Sequence, residues 1–409
     1  MTFQQHLEKY AALAVEVGLN VQPGQTVFIS SPIAAVELTR LAVKRAYEVG
    51  AKQVYVDWSD DIVTRLKYDL APDDAFLQFP SWVVHMRDTL VEEGAAFLSI
   101  VASNPDLLKG VDSARIASFN KTAGQALSGF RTAIQSNKVS WTVIAAPSPE
   151  WAAKVFPDQP AEQQVESLWN AIFAATRATL DNPVQAWKEH NAALESKVQY
   201  LNSKRYQALH YTAPGTDLTI ELPKQHVWVG GGGATASGTP FVANIPTEEV
   251  FTMPLKTGVN GYVSSTKPLN YSGNLIENFK LTFENGRIVA YTAETGEETL
   301  KTLVETDEGS HYLGEVALVP HQSPISDTNI IFYNTLFDEN ASAHLAIGSA
   351  YAFNLEGGTA MSKEELEQNG ANTSLTHVDF MIGSAEMNID GVKEDGTREP
   401  LFRNGNWAV

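Results

Sequence analysis

The chain has 409 residues, of which 44% are hydrophobic, and its 48 acidic against 29 basic residues give a formal charge of −19. This length predicts two domains, the apolar content excludes a disordered chain, and the negative charge argues against nucleic acid or an anionic membrane surface as a partner. The sequence contains no cysteine, which excludes disulfides, thiol nucleophiles and thiolate metal ligands. Any metal site would therefore use histidine and carboxylate side chains.

The N-terminal segment MTFQQHLEKYAALAVEVGLN is typical of an amphipathic helix, because Glu8, Lys9 and Glu16 interrupt its apolar residues. We therefore expect no signal peptide. No window of about 18 apolar residues occurs, so we also expect no membrane-spanning helix and a cytoplasmic location.

The first half of the chain alternates strands with helices. The predicted strands are Gln25–Ser30, Gln53–Asp57, Phe97–Val101 and Trp141–Ala145. The predicted helices are Ile33–Val49, which stops at Gly50, Glu162–Ala178 and Pro183–Tyr200. Because a helix separates consecutive strands, we predict an α/β N-terminal domain with a parallel sheet over residues 1–200.

From about Leu209 onward the pattern changes to strands with alternating polarity. The predicted strands are Leu218–Leu222, Phe279–Phe283, Arg287–Thr292, Glu315–Val319 and Val378–Ile382. Asn285 and Gly286 separate two of them and predict a hairpin turn. Helices are predicted only over Glu294–Thr306 and Ala341–Phe353. We therefore predict an α+β or barrel-like, strand-rich C-terminal domain over residues 201–409.

The segment Phe332–Phe353 carries reactive side chains in an apolar setting. Asp338 and Glu339 precede a run of small apolar residues that contains His344 and Tyr351. On the predicted helix, a histidine and a tyrosine seven residues apart project from the same face. With a carboxylate just before the helix, this arrangement indicates a functional site.

Three further segments place carboxylates or histidine where solvation does not explain them. Glu248 and Glu249 would point to opposite sides of a strand, so only one of them can face a pocket. Glu315 opens an otherwise apolar strand, where a buried carboxylate needs a cationic partner. His377 and Asp379 are two residues apart and face the same side of a strand.

Imidazole and carboxylate groups suit zinc, cobalt, manganese and iron, and sites rich in carboxylates commonly hold two ions. Each segment also has an ordinary structural interpretation. A strand histidine can be a hydrogen-bonded core residue, His377 with Asp379 can be a buried ion pair, and the two adjacent glutamates can be a solvated edge. The combination of segments favours a metal site.

The strings NIPTEEVFTMP, LGEVALVPHQSPIS, FYNTLFDENASAHLAIGSAY and HVDFMIG resemble signature segments of the thermophilic-type metallo-aminopeptidases, the family of aminopeptidase T, aminopeptidase S and PepS. The resemblance extends over essentially the whole chain, including QPGQTV near the N-terminus and the GGGG run. It implies an exopeptidase of broad specificity with two metal ions, an N-terminal α/β domain, a C-terminal catalytic domain and a homodimeric state.

The resemblance also implies roles for individual residues. The metal ligands fall on Glu249, Glu315, His344, His377 and Asp379, and Glu339 matches a further acidic position near the ions. Tyr351 matches the catalytic tyrosine of the family. Glu249 rather than Glu248 is thereby the expected ligand, and Asp338 is left as a helix cap.

The predicted reaction is hydrolysis of the N-terminal residue from a peptide with a free N-terminus, through a metal-activated water. Glu315 or Glu339 would accept the proton of that water, and Tyr351 would donate a hydrogen bond to the developing oxyanion. The expected cofactors are two divalent ions, zinc or cobalt in the first place and manganese or magnesium otherwise.

Two alternatives remain open. The first is a two-metal hydrolase that acts on another amide or ester, and the second is a non-catalytic cation-binding protein. His344 and His377 argue against calcium in the second case, because calcium prefers oxygen ligands throughout.

Overall fold

The computed structural model describes residues 1–102, 104, 106–271 and 274–409. These residues form two compact units. The first comprises Met1–Glu189 and Gly232–Pro246, and the second comprises His190–Gly231 and Thr247–Val409. The boundary expected between residues 200 and 201 lies inside a helix that runs from Pro183 to Lys204.

The first part of the chain contains nine α-helices among the described residues. They are α1 (Phe3–Ala12), α2 (Val36–Glu48), α3 (Asp61–Leu70), α4 (Ser81–Glu92), α5 (Ser113–Ala126), α6 (Ser128–Gln135), α7 (Pro149–Val155), α8 (Ala161–Ala175) and α9 (Pro183–Lys204). The strands are β1 (Thr26–Pro32), β2 (Gln53–Ser59), β3 (Ala96–Val101) and β4 (Trp141–Ala145). All four strands pair in parallel, in the order β2-β1-β3-β4, which confirms the predicted α/β fold with a parallel sheet.

The centre of this sheet is strand β1, whose residues Val27, Phe28 and Ile29 are buried. Helix α2 connects β1 to β2, as the sequence predicted, although a 3₁₀ turn over Ile33–Ala35 precedes it. Helix α2 stops just before Gly50, whose φ of +102° lies in a region that residues with a Cβ rarely adopt.

The remaining strands run from residue 208 to residue 407. They are β5 (Ala208–Ala213), β6 (Thr216–Glu221), β7 (Val229–Gly230), β8 (Gly233–Ala234), β9 (Pro240–Phe241), β10 (Val250–Thr252), β11 (Val259–Ser264), β12 (Leu269–Tyr271), β13 (Asn274–Ile276), β14 (Lys280–Glu284), β15 (Arg287–Thr292), β16 (Leu313–Leu318), β17 (His344–Gly348), β18 (His377–Met381), β19 (Asn388–Val392), β20 (Arg398–Arg403) and β21 (Asn406–Trp407). The α-helices of this part are α10 (Glu297–Val304), α11 (Thr335–Asp338) and α12 (Lys363–Gln368). The short pair β8 and β9 belongs to the first unit, and the other strands to the second.

The second unit is built on two antiparallel sheets, which confirms its predicted strand-rich α+β character. One sheet has five strands in the order β18-β17-β16-β10-β7, and the other has eight in the order β15-β14-β11-β6-β5-β19-β20-β21. Side chains from both sheets form one hydrophobic cluster, to which Leu345 and Phe380 contribute from the first sheet and Tyr211 and Ile389 from the second. The face of the five-stranded sheet that does not point into this cluster is therefore free to carry other chemistry.

The predicted hairpin at Asn285 and Gly286 is confirmed. These residues connect β14 to β15 and have φ angles of +48° and +84°, as the two central residues of a type I′ turn require. A Cβ on Gly286 would lie 1.8 Å from the backbone oxygen of Lys256, so no other residue fits this position.

The predicted helix over Ala341–Phe353 is wrong. Residues His344–Gly348 form strand β17, which is bonded to β16 on one side and to β18 on the other. An interior strand that is buried on both faces has a continuous apolar sequence, and a short run of this kind cannot be distinguished from a buried helix by periodicity. The strand ends at Gly348, where a Cβ would lie 2.1 Å from the backbone oxygen of Thr376.

Among the described residues, none of the helices combines the length and the apolar character needed to span a lipid bilayer.

Candidate metal centre

Strand alternation places four of the predicted site residues on one face of the five-stranded sheet. In the register between β16 and β17, Ala317 lies opposite His344 and Glu315 opposite Ala346. In the register between β17 and β18, Ala346 lies opposite Asp379, and Gly348 lies opposite His377. Successive side chains of a strand point to opposite faces, so Glu315, His344, His377 and Asp379 all project from the same face.

The residues between them on the other face are apolar. Val316, Leu345, Ile347 and Phe380 belong to the hydrophobic cluster of the second unit. On the reactive face, the intervening residues of β16 and β17 are alanines and glycine, which leave room between the polar side chains. The small residues that suggested a helix thus belong to strand β17. One face of this strand is apolar, and small residues on its other face leave space for the polar side chains.

The four side chains, together with Glu249, form a chain of close contacts. His344 Nε2 lies 3.2 Å from Glu249 Oε2 and 3.4 Å from Glu315 Oε1. His377 Nε2 lies 3.5 Å from Glu315 Oε2 and 3.5 Å from Asp379 Oδ1. Glu315 therefore presents one oxygen to each histidine. These histidines are the cationic partners that were expected for a carboxylate in an apolar strand.

Within the part of the chain that the structure describes, these residues make two groups of three potential metal ligands. One is Glu249, Glu315 and His344, and the other is Glu315, His377 and Asp379. In each group the three ligand atoms lie within 4.8 Å of one another. Glu315 belongs to both groups.

Both histidines are oriented by a backbone carbonyl. His344 Nδ1 donates to the oxygen of Ser342 at 3.1 Å, and His377 Nδ1 donates to the oxygen of Ser349 at 2.7 Å. A carbonyl oxygen only accepts, so the proton lies on Nδ1 and Nε2 is the nitrogen that a neutral ring can offer to a cation. This is the usual arrangement of histidines that bind metals.

The donor set fits a divalent transition metal. Glu249 Oε2 and Asp379 Oδ1 are buried and have no hydrogen-bond partner among the described residues. Glu249 Oε2 lies 3.2 Å from His344 Nε2, and Asp379 Oδ1 lies 3.5 Å from His377 Nε2. Neither contact has the geometry of a hydrogen bond. Buried carboxylate oxygens without partners are costly, and a cation between them and the imidazoles would satisfy them.

The closely spaced, buried carboxylates of the site have raised pKa values at Glu315 and Glu339. Burial, together with the negative charges of Asp379 and Glu249, raises the pKa of Glu315 to about 7. Burial and the same two carboxylates hold the pKa of Glu339 well above its ordinary value. Burial alone would lower the pKa of His344, but its contacts with Glu249 and Glu315 outweigh burial and raise it. The site therefore attracts positive charge, either as protons or as metal ions.

Tyr351 lies beside this centre, although not on a helix as predicted. It follows β17 and precedes a 3₁₀ turn over Ala352–Asn354. Its ring stacks on Phe353 with centroids 5.1 Å apart, and it lies 4.8 Å from the ring of His377. Burial, and then the charges of the nearby carboxylates, raise the pKa of the phenol, so Tyr351 keeps its proton and can donate a hydrogen bond.

The neighbouring acidic residues have separate positions. Glu339 opens a 3₁₀ turn over Glu339–Ala341 and lies outside both groups of three ligands in the described part of the chain. Asp338 does not cap a helix with its side chain, because Asn334 caps α11. The carboxylate of Asp338 instead accepts hydrogen bonds from the backbone of Phe332 at 2.8 Å and of Asn334 at 3.0 Å.

Glu248 and Glu249 point to different environments, as expected, although both precede β10 rather than lie on it. Glu248 Oε2 lies 3.5 Å from His190 Nε2, and Glu248 belongs to neither ligand group in the described part of the chain. Sequence reasoning missed His190 and also Asn340, whose side chain bonds to the backbone of Glu248. His190 lies outside the family-like segments and Asn340 lies inside one of them, but only the folded arrangement reveals their contacts with Glu248.

Comparison with known proteins gives consistent matches over the full length. Residues 3–407 match the family described as thermophilic metalloprotease (M29). The chain is 63% identical to aminopeptidase AmpS of Bacillus subtilis (strain 168), and the match covers 100% of this chain and 99% of that protein. It is 45% identical to aminopeptidase T of Thermus thermophilus, with 100% and 99% of the two chains covered. The solved structure of wild-type AmpT from Thermus thermophilus superposes with a TM-score of 0.94 at 44% identity, and 100% of each chain is covered.

Proposed function

The chain belongs to the thermophilic metalloprotease (M29) family, as its sequence predicted, and is a metallo-aminopeptidase; on this premise we propose that it removes N-terminal residues from peptides with the help of two divalent cations. One cation would be held by Glu249, Glu315 and His344, and the other by Glu315, His377 and Asp379.

The observation that carries the two-ion proposal is the position of Glu315. Its two carboxylate oxygens face different histidines, at 3.4 Å and 3.5 Å, so it can bind one cation with each oxygen. A carboxylate shared in this way is what brings two cations to within about 4 Å of each other in hydrolases. Bound there, the metal would activate a water and polarise the scissile carbonyl.

The remaining residues have roles that follow from their positions. Since Glu315 lies between the two histidines, Glu339 is the better placed of the two predicted proton acceptors, and it also remains a candidate ligand. Tyr351, with its phenol protonated, donates a hydrogen bond to the oxygen of the substrate carbonyl as negative charge develops on it. The acidic surroundings favour the protonated α-amine of a peptide over a blocked N-terminus.

Zinc or cobalt suits this histidine and carboxylate set best, and manganese or magnesium follows. We also propose a homodimer, which has its support in the family resemblance alone, and a cytoplasmic location, which has its support in the sequence pattern alone.

The test uses amino-acid p-nitroanilides with purified protein. Release of nitroaniline should stop when a chelator removes the metal and return when zinc or cobalt is added. Elemental analysis should find two ions per chain. The N-acetylated anilide should be inert. Cleavage of the acetylated substrate would favour a hydrolase for other amides, and absence of metal-dependent turnover of either substrate would contradict the proposal.

A further inference from the structure

Two of the proposed site residues lie outside the sheet that positions the others. Strand β10 pairs with β16 only from Val250 onward, so the ladder of backbone hydrogen bonds stops just before Glu249. Glu339 opens a 3₁₀ turn between α11 and β17. Neither carboxylate is fixed by strand pairing, and each needs another contact to hold it in place.

Asn340 makes such a contact with both segments. Its side chain is fully buried. Asn340 Oδ1 accepts a hydrogen bond from the backbone N–H of Glu248, the neighbour of Glu249, at 2.8 Å. Asn340 Nδ2 donates to Glu339 Oε1 at 3.3 Å and to the backbone oxygen of Leu336 at 3.2 Å. One amide thus connects two parts of the site that are 92 residues apart in sequence.

We propose that Asn340 is a positioning residue, which sets the separation of Glu249 and Glu339 and thereby the affinity of the site for its metal. This inference rests on the proposed ligands. An amide is suited to the task because it accepts at one end and donates at the other. Aspartate keeps the acceptor for the backbone of Glu248 but loses the donor for Glu339, and alanine loses both.

The test compares the variants N340A and N340D with a matched control. Asn202 makes the same kind of two-ended bridge elsewhere in the second unit, since it accepts from the backbone N–H of Trp228 at 2.9 Å and donates to its oxygen at 3.0 Å. The N202A variant therefore reports what the loss of a bridging amide does to the protein in general. Metal affinity is measured by titration of metal-free protein with zinc against a chromophoric chelator. The visible spectrum of the cobalt form is recorded as a second readout.

We expect N340A and N340D each to bind zinc about 10–100-fold more weakly than the wild type, which is the usual effect of losing a group that orients a ligand. The cobalt spectrum should change in both variants, and kcat should fall more than KM rises. N202A should keep the wild-type zinc affinity and cobalt spectrum.

Wild-type zinc affinity in folded N340A and N340D would overturn the proposal. Wild-type zinc affinity in N340D alone would also overturn it, because the contact between Asn340 and Glu339 would then be unimportant. An equal loss in N202A would show a general effect of destabilisation. If N340A does not fold, N340D decides, since aspartate has nearly the same shape. Failure of the wild type to bind zinc would instead contradict the proposed function on which the inference rests.

Discussion

At the scale of single residues, the phenol ring of Tyr351 packs against three other aromatic rings. Phe353 stacks on it with an interplanar angle of 9°, Phe251 meets it edge-on at 6.2 Å, and His377 lies against it. These contacts depend on the ring and not on the hydroxyl group. The hydroxyl can therefore be removed without moving the ring.

The variant Y351F should lower kcat by about 10²–10³-fold, because it removes the proposed hydrogen bond, which would strengthen as charge develops on the substrate oxygen. KM and zinc content should change little. As a control, Y262F removes the hydroxyl of an exposed tyrosine on β11 and should leave kcat unchanged. An unchanged kcat in Y351F, or a loss of bound zinc, would show that the hydroxyl does not act on the substrate.

At the scale of elements, strand β17 separates two functions by alternation. Leu345 points into the hydrophobic cluster, whereas Ala346 lies on the opposite face between Glu315 and Asp379. Neighbouring residues of one strand should therefore affect different properties of the enzyme when they are replaced.

The variant A346L places a branched side chain between the proposed ligands, and we expect zinc binding to weaken by about tenfold or more. The variant L345A leaves a cavity in the core, and we expect the free energy of unfolding to fall by about 2–5 kcal/mol with zinc affinity retained. Zinc titration and denaturant unfolding of both variants check the prediction. A large loss of zinc affinity in L345A but none in A346L would mean that the assignment of faces is wrong.

The same strand shows what the sequence could predict and what it could not. The parallel sheet and the Asn285–Gly286 hairpin were predictable, because they depend on local periodicity and turn chemistry. Strand β17 was not, because its apolar sequence reflects neighbours on both sides that a sequence window does not contain. The proposed ligands were identified from the residue types and the family resemblance, whereas the strand register and the bridge through Asn340 that bring them together depend on tertiary structure.

At the scale of the whole molecule, the site concentrates negative charge in a protein that already carries a formal charge of −19. Without metal, protons must compensate that charge. The pKa of Glu315 is raised from 4.5 to about 7 by burial and its acidic neighbours. Burial lowers the pKa of His377, but contact with Asp379 outweighs it and raises this pKa from 6.5 to about 9. Groups with a higher pKa in the folded state favour folding at low pH, and this contribution is lost as the pH rises through the folded-state pKa.

Metal-free protein should therefore lose thermal stability between about pH 4.5 and pH 9, the range bounded by these ordinary and raised pKa values. Zinc should oppose the loss, because a bound cation replaces the protons and its binding strengthens as they dissociate. Calorimetric melting temperatures at several pH values, with chelator and with saturating zinc, test this. A melting temperature of the chelated protein that rises over this range would contradict the prediction.

The distribution of the site over the sheet also bears on how the enzyme is made. The residues of the two ligand groups are spread along the sequence between Glu249 and Asp379. The last two, His377 and Asp379, lie on β18, an edge strand that pairs only with β17 within the five-stranded sheet. A chain that is still being synthesised cannot form the second of the two ligand groups until its synthesis has passed Asp379. If these residues hold the metal as proposed, metal-dependent peptidase activity would begin only after that point of synthesis.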